Sequence, residues 1–264
     1  MEAIKMKGRK DESRALNKID FFTLNSIIVF SALLVLVVRF IFMDPYVESL
    51  NITNTLPLWI IIIPLVSGPI QVFIGKKSEI LRDILGVNTS FIVFLSLLWM
   101  YPKVIQGTMV YELEGLLGLG LTFKVDMLSL IISLAAAILW VLVTMYSHDY
   151  MQVENHRNRF YLWMSITFSG ILGTLMAGDL FTMYLFFEMM TFSSYFLVAH
   201  NQKPEAIIAG RSYIYMSIVG GLSILFGMFL LYNHTGTLEF TPLIYEIQAL
   251  GSTKYLIASL LIGG

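Results

Sequence analysis

Leu180-Phe181-Thr182-Met183-Tyr184-Leu185-Phe186-Phe187-Glu188-Met189-Met190-Thr191-Phe192-Ser193-Ser194-Tyr195-Phe196-Leu197-Val198-Ala199 contains a single charge, Glu188. A spanning helix needs about 20 mainly apolar residues, so this stretch fits one crossing of a bilayer. Glu188 stands near its middle, and a rise of about 1.5 Å per residue places it close to the midplane. A charge at that depth costs about 2.5–3.5 kcal/mol on insertion scales, and such residues are functional by default. Two readings stand side by side. One is a protonated Glu hydrogen-bonded to a neighbouring helix. The other is a proton or cation site tuned by burial and a nearby cation.

The rest of the chain supports a membrane as solvent. It has 264 residues, 57% of them hydrophobic and only 13% charged. Ordinary globular domains carry about 25% charge, so this chain is too poor in charge to cover a water-facing surface. The mean hydropathy of +0.76 agrees. Apolar runs at 21–43, 56–75, 87–100, 127–147, 160–178, 180–199 and 207–232 predict seven spans, and an eighth run starts at Tyr255 and stops at Gly264. The fold class expected is an all-α polytopic membrane protein. Ten residues do not cross a bilayer, so the module is expected to be incomplete at 264, with another polypeptide or a longer parent supplying the remainder.

Loop charge predicts the orientation. Lys5, Lys7, Arg9, Lys10, Arg14, Lys18, Lys76, Lys77, Arg82, Arg157, Arg159, Lys203 and Arg211 fall on one side of the predicted spans. Only Lys103, Lys124, Lys254 and Arg39 fall on or near the other. The positive-inside rule puts residues 1–20 in the cytoplasm as a solvated tail and the loops near 44–55, 101–126 and 233–254 outside. The outer loop 101–126, with Gly115, Gly118 and Gly120, predicts irregular chain or a short hairpin. The first apolar run is too long for a signal-peptide core, so cleavage there is not expected.

Several chemistries are excluded or unsupported. A net charge of −1 leaves no basic footprint for nucleic acid. With no cysteine, the chain holds no disulfide and no thiolate-bound zinc or iron–sulfur cluster. No cofactor is expected in this chain, and any redox centre belongs to partner subunits. Phosphate-binding and dinucleotide loops and a nucleophile elbow are missing. The segment with His148, Asp149, Glu154, His156, Arg157 and Arg159 reads as a solvated cytoplasmic loop. It has no His pair at helical i,i+4 spacing, and no metal site is expected.

Beyond Glu188, the candidates divide between functional and structural roles. Arg211 reads as a partner cation or as a positive-inside anchor that snorkels to the interface. His200 reads as the place where a proton enters or as an interfacial helix end. Asp126 and Asp179 stand where the chain enters the membrane and read as helix N-caps. Ser169, Gly173 and Ala177 form one small-residue stripe, and Ser217 and Gly221 another, for close helix packing.

Ordered motifs across 123–240 resemble a known family. Val125-Asp126-Met127-Leu128-Ser129-Leu130 is similar to its VDxLSL helix start. Tyr146-Ser147, Tyr150-Met151 and Arg159-Phe160-Tyr161 resemble its next loop. Gly178-Asp179-Leu180-Phe181, Phe186-Phe187-Glu188-Met189 and Ser194-Tyr195 resemble its fifth helix. Leu231-Tyr232 and Thr235-Gly236-Thr237-Leu238 follow in register. The family is that of the antiporter-like membrane subunits of respiratory complex I, Mrp-type sodium/proton antiporters and Mrp-related membrane-bound hydrogenases. The wording is closer to the Mrp and hydrogenase branch.

The resemblance implies that residues 56–264 form the N-terminal part of an antiporter-like, inverted-repeat module, with 21–43 as an extra preceding helix. It implies that Glu188 is the fifth-helix glutamate, paired in the family with a seventh-helix lysine that would follow Gly264. The family's sixth-helix lysine falls on Ser212, and Arg211 is one position away, about 100° round the helix. Asp126, Arg159 and Asp179 occupy family-motif positions. The function implied is proton or sodium/proton translocation in the plasma membrane, within a multisubunit Mrp-type or hydrogenase-type complex. Its partners would be other membrane subunits, lipid, H⁺ and possibly Na⁺, with no bond chemistry in this chain. The alternative is a structural, docking subunit of the same kind of complex.

Overall fold

The computed structural model describes residues 55–113, 120–240 and 251–264. The predicted tail 1–20 and the predicted extra helix 21–43 lie outside the described residues. Seven α-helices, one 3-10 turn (Met151–Val153) and one hairpin appear in the described parts: α1 Leu56–Gly75, α2 Glu79–Gln106, β1 Met109–Leu113, β2 Leu121–Val125, α3 Met127–Tyr150, α4 Arg157–Leu175, α5 Leu180–Val198, α6 Pro204–Thr235 and α7 Thr253–Gly263. The helices α1, α2, α3, α5 and α6 are long and apolar enough to cross a membrane. The chain is an all-α membrane protein with one small extramembrane hairpin.

Local chemistry sets the ends. Pro57 starts α1, where a missing N–H is no loss. Asp126 caps α3 in a reciprocal box with Ser129, and Asp179 caps α5 through Thr182. Gly236 closes α6 with φ of 72°, a left-handed conformation that glycine adopts without steric cost. The strands β1 and β2 pair antiparallel, Met109 opposite Val125 and Leu113 opposite Leu121. The predicted outer loop is therefore a hairpin.

Helices α1, α2, α3 and α4 surround the main core. Ile60, Ile61, Val93, Leu97, Met100, Leu130, Phe168 and Leu172 fill it, and Phe123 and Val125 of the hairpin seal one end. Trp140 stacks on Phe168 with centroids 5.0 Å apart. Helix α4 is the polar exception. Its buried Ser165, Thr167 and Ser169 bond to neighbouring helices, Ser169 Oγ to the Ile61 carbonyl at 2.8 Å. The outward sides of α3 and α6 are apolar and exposed, as at Leu139, Leu142, Val219 and Phe229. That is the inverse of a soluble protein.

Three expectations change. Helix α2 begins at Glu79, eight residues before the predicted span, because Ser78 caps it and Ile80 and Ile84 continue its apolar face. Arg82 and Asp83 are therefore buried helical residues, not loop charges. Helix α3 continues to Tyr150, so His148 is buried and not part of a solvated loop. The 169–173–177 stripe also divides. Ser169 meets α1, Gly173 lies against the Phe186 ring of α5, and Ala177 lies beyond the helix end, bridged to Phe123.

Candidate functional site

Glu188 lies in the seam between α5 and α6. Helix α6 can approach because position 221 is glycine, and a Cβ there would collide with the Glu188 carboxylate. One turn along α5, the Thr191 carbonyl accepts a hydrogen bond from the Tyr213 hydroxyl of α6 at 3.3 Å. The side chain of Glu188 is half-buried, while its Oε1 is fully buried and accepts no hydrogen bond among the described residues. No ion pair to Glu188 forms among the described residues. A buried, unbonded carboxyl oxygen carries a desolvation penalty of about 1–3 kcal/mol, more if charged. Protonation or a cation brought close would each remove that penalty.

The other predicted residues are dispersed. Arg211 and Ser212 are exposed on α6, and Arg211 is ten residues from Gly221, about 15 Å along the axis. Neither faces Glu188. His200 follows α5 in a turn, about 18 Å along the helix from Glu188. Its Nε2 donates to the Asn155 carbonyl at 3.1 Å, and its ring meets Phe160 edge-on. Burial, with Arg159 beside it, holds the imidazole below its ordinary pKa. Arg159 donates to the His200 carbonyl at 2.7 Å, tying the start of α4 to the end of α5.

Asp179 is more than a cap. Its Oδ1 accepts from Thr182 N at 2.7 Å, and its Oδ2 accepts from Thr182 Oγ1 at 2.7 Å and from Thr122 N of the hairpin at 3.2 Å. The backbone continues the joint, with Leu180 N donating to the Leu238 carbonyl. One carboxylate thus links the hairpin to the start of α5, next to the segment that follows α6. Asp126 stays a plain cap: its Oδ1 accepts from Ser129 N at 2.8 Å, and the Ser129 backbone donor is the main reason its carboxyl sits below the ordinary Asp pKa.

A second polar cluster lies at the basic end of the bundle. Arg82 clamps Asp83 Oδ1 through two nitrogens, at 2.8 and 2.7 Å. His148 Nδ1 meets Asp83 Oδ2 at 2.7 Å. Arg82 also donates to Asn158 Oδ1 at 2.7 Å and lies 4.7 Å from the Tyr161 ring centroid. Asp83 and His148 are 65 positions apart, and no spacing rule joins them. The signal available in the sequence was Ser78 as a helix cap, which would have drawn Arg82 and Asp83 into α2. Among the described residues no group of three or more His, Asp or Glu could hold a metal.

The fold and these motifs define an antiporter-like membrane subunit. Two family models match: the transmembrane region of NADH:quinone oxidoreductase and Mrp antiporters over 177–263, and the N-terminus of chain 5 of complex I over 114–161. A putative antiporter subunit of Staphylococcus haemolyticus is 30% identical over 201 residues, covering 75% of this chain and 40% of that protein. A Na⁺/H⁺ antiporter subunit of Bacillus subtilis is 27% identical, covering 73% of this chain and 39% of its own length. Similar folds occur in an archaeal membrane-bound sulfane sulfur reductase (TM-score 0.70, 21% identity, 79% of this chain and 44% of that one) and in the Mrp complex of Dietzia sp. (TM-score 0.67, 19% identity, 81% and 40%). The chain is thus a relative of the antiporter-like membrane subunits, and it spans about 40% of the length of the curated relatives it matches.

Proposed function

We propose that this chain is the N-terminal part of an ion-translocating, antiporter-like subunit in a multisubunit plasma-membrane complex of Mrp or Mrp-linked hydrogenase type. Glu188 is its mid-membrane proton carrier. The observation that supports this is the Glu188 carboxyl itself: it lies in an apolar seam, one oxygen buried without a hydrogen bond, with glycine opposite. A residue kept only for packing would not be a carboxyl at that depth. The cation that would stabilise the charged form is to come from outside the described residues, in the second part of the module or a partner subunit. Translocation would then alternate between a paired, ionised Glu188 and an unpaired, protonated one. The kinship with Mrp subunits supports proton exchange for Na⁺ as the overall process.

The test is ion translocation by the purified complex in liposomes with Glu188→Gln. The expected result is loss of translocation with assembly intact. Unchanged translocation would leave the docking role, in which the apolar outer faces of α3 and α6 bind neighbours.

A further inference from the structure

The Arg82–Asp83–His148 cluster has a second feature beside its completeness: it stands behind an open cleft. The cleft encloses about 610 Å³ at the basic end of the bundle, and its wall includes Arg82, Gln152, Asn155, His156, Asn158 and Arg159. His148 itself is buried, but its Nε2 points at the Gln152 amide, 3.4 Å away. Gln152 is the partition between cleft and imidazole.

The hydrogen bonds fix the tautomer. Two Arg82 nitrogens donate to Oδ1, which leaves Oδ2 as the acceptor that meets His148, so Nδ1 is the donor and carries the proton. In neutral His148 the basic nitrogen is then Nε2, the one turned toward the cleft. A carboxylate that holds one ring nitrogen, with the other able to take a proton, is the arrangement of a general base. Adding a proton takes the Arg82–Asp83–His148 group from net zero to one positive charge, with Asp83 in contact with the new imidazolium.

Other groups face this pair. Helix α4 presents Tyr161, whose ring Arg82 covers, with Asn158 and Arg157. Arg157 is itself held by Glu79 and the Gln152 carbonyl. Asp149 is adjacent on α3. Polar groups also continue inward. Tyr161 and Gln71 both border Gly86. Gln71 is fully buried and donates to Ser67 at 3.2 Å and Ser165 at 3.1 Å, while its Oε1 accepts nothing. An unbonded buried acceptor is a place for a water or a passing proton donor. On the opposite face of α4, Thr167 bonds Ser193 of α5 at 2.8 Å. Buried polar residues thus run from the cleft into the bundle, between α1, α2 and α4, in an otherwise apolar interior.

We propose that His148 is a proton-accepting residue at the cytoplasmic mouth of this polar track, with Asp83 and Arg82 as its positioning residues. It is a protonatable station distinct from Glu188. This rests on the reading that the chain serves proton translocation, and the tests separate the two. In the intact purified complex, hydrogen–deuterium exchange at the histidine C2 atoms, read by mass spectrometry against pH, reports each imidazole separately. A pH-dependent exchange rate is expected at His148, and Asp83→Asn is expected to change that profile. In liposomes, His148→Gln is expected to slow proton uptake about tenfold or more and to flatten its pH profile, with partial rescue by added imidazole. A flat exchange profile at His148 overturns the proposal, even where His148→Gln fails to assemble. So does an assembled His148→Gln complex with unchanged rate and pH profile, whichever way Glu188→Gln behaves. Loss in Glu188→Gln with His148→Gln unchanged leaves the role of Glu188 standing and removes that of His148.

Discussion

Asp83 and Glu188 are both acids inside the helical bundle, and their surroundings are opposite. Asp83 is 4% exposed and both of its oxygens are bonded, to Arg82 and His148. Glu188 is half-buried, and its buried oxygen has no hydrogen-bond partner among the described residues. A satisfied buried carboxylate is costly to disturb, because removing one partner strands the other charge. An unsatisfied one costs little to neutralise, because it has no partner to strand. The first arrangement fixes α2 against α3 and holds a histidine in one tautomer. The second leaves the protonation of Glu188 to be decided by what approaches it.

The largest effect should come from breaking the satisfied site. Arg82→Met strips the buried Asp83 of both bonds to Oδ1 and leaves only His148 on Oδ2, and unfolding in detergent should show a loss of about 3–5 kcal/mol. Glu188→Gln in the same assay should change stability by less than about 1 kcal/mol. Equal losses would mean that Glu188 has a bonded partner in the assembled state, and the contrast would fail. A smaller effect tests the seam. Gly221→Ala should cost about 1–3 kcal/mol while Glu188 is present, since the new methyl meets its carboxylate. In a Glu188→Ala background most of that cost should vanish, an interaction energy that a double-mutant cycle reads directly.

How much of this was legible follows from the range over which each signal acts. The apolar runs of α1, α3, α5 and α6 lie in continuous sequence, and hydropathy finds them. The motifs from Asp126 to Leu238 are local too, and they carried the family. The start of α2 was missed because Arg82 and Asp83 look like loop charges until His148 and Asn158 are placed beside them. The division of the Ser169–Gly173–Ala177 stripe was missed because α4 ends at Leu175, before Ala177. The joint from Asp179 to Thr122 spans 57 positions. A carboxylate's first bond, to its own helix, is visible in sequence; its second, across the fold, is not.

Asp179 and Asp126 show that difference at lower energy. Asp179→Ala removes a cap and the Thr122 contact together, and should cost about 1–2 kcal/mol. Amide exchange at Thr122 should speed up with it. A cost with no change at Thr122 would reduce Asp179 to a cap.

Asp126→Ala removes a cap alone and should cost about 1 kcal/mol or less. Its pH dependence follows from the lowered carboxyl pKa, which the Ser129 backbone donor produces. The folded state holds the charged form more strongly than the unfolded chain does. The stabilisation is therefore complete well above the unfolded value of about 3.9 and is lost as pH falls through the folded one. Native protein and Asp126→Ala should differ at pH 7, begin to converge only below about pH 4, and meet below the lowered folded-state pKa. Ser129→Ala should keep the larger part of this pH term, because the main donor at position 129 is a backbone N–H that alanine also carries, and lose the smaller part that the Ser129 hydroxyl supplies. A difference between native protein and Asp126→Ala that persists unchanged to pH 3 would show that the Asp126 side chain acts by its shape and not by its charge.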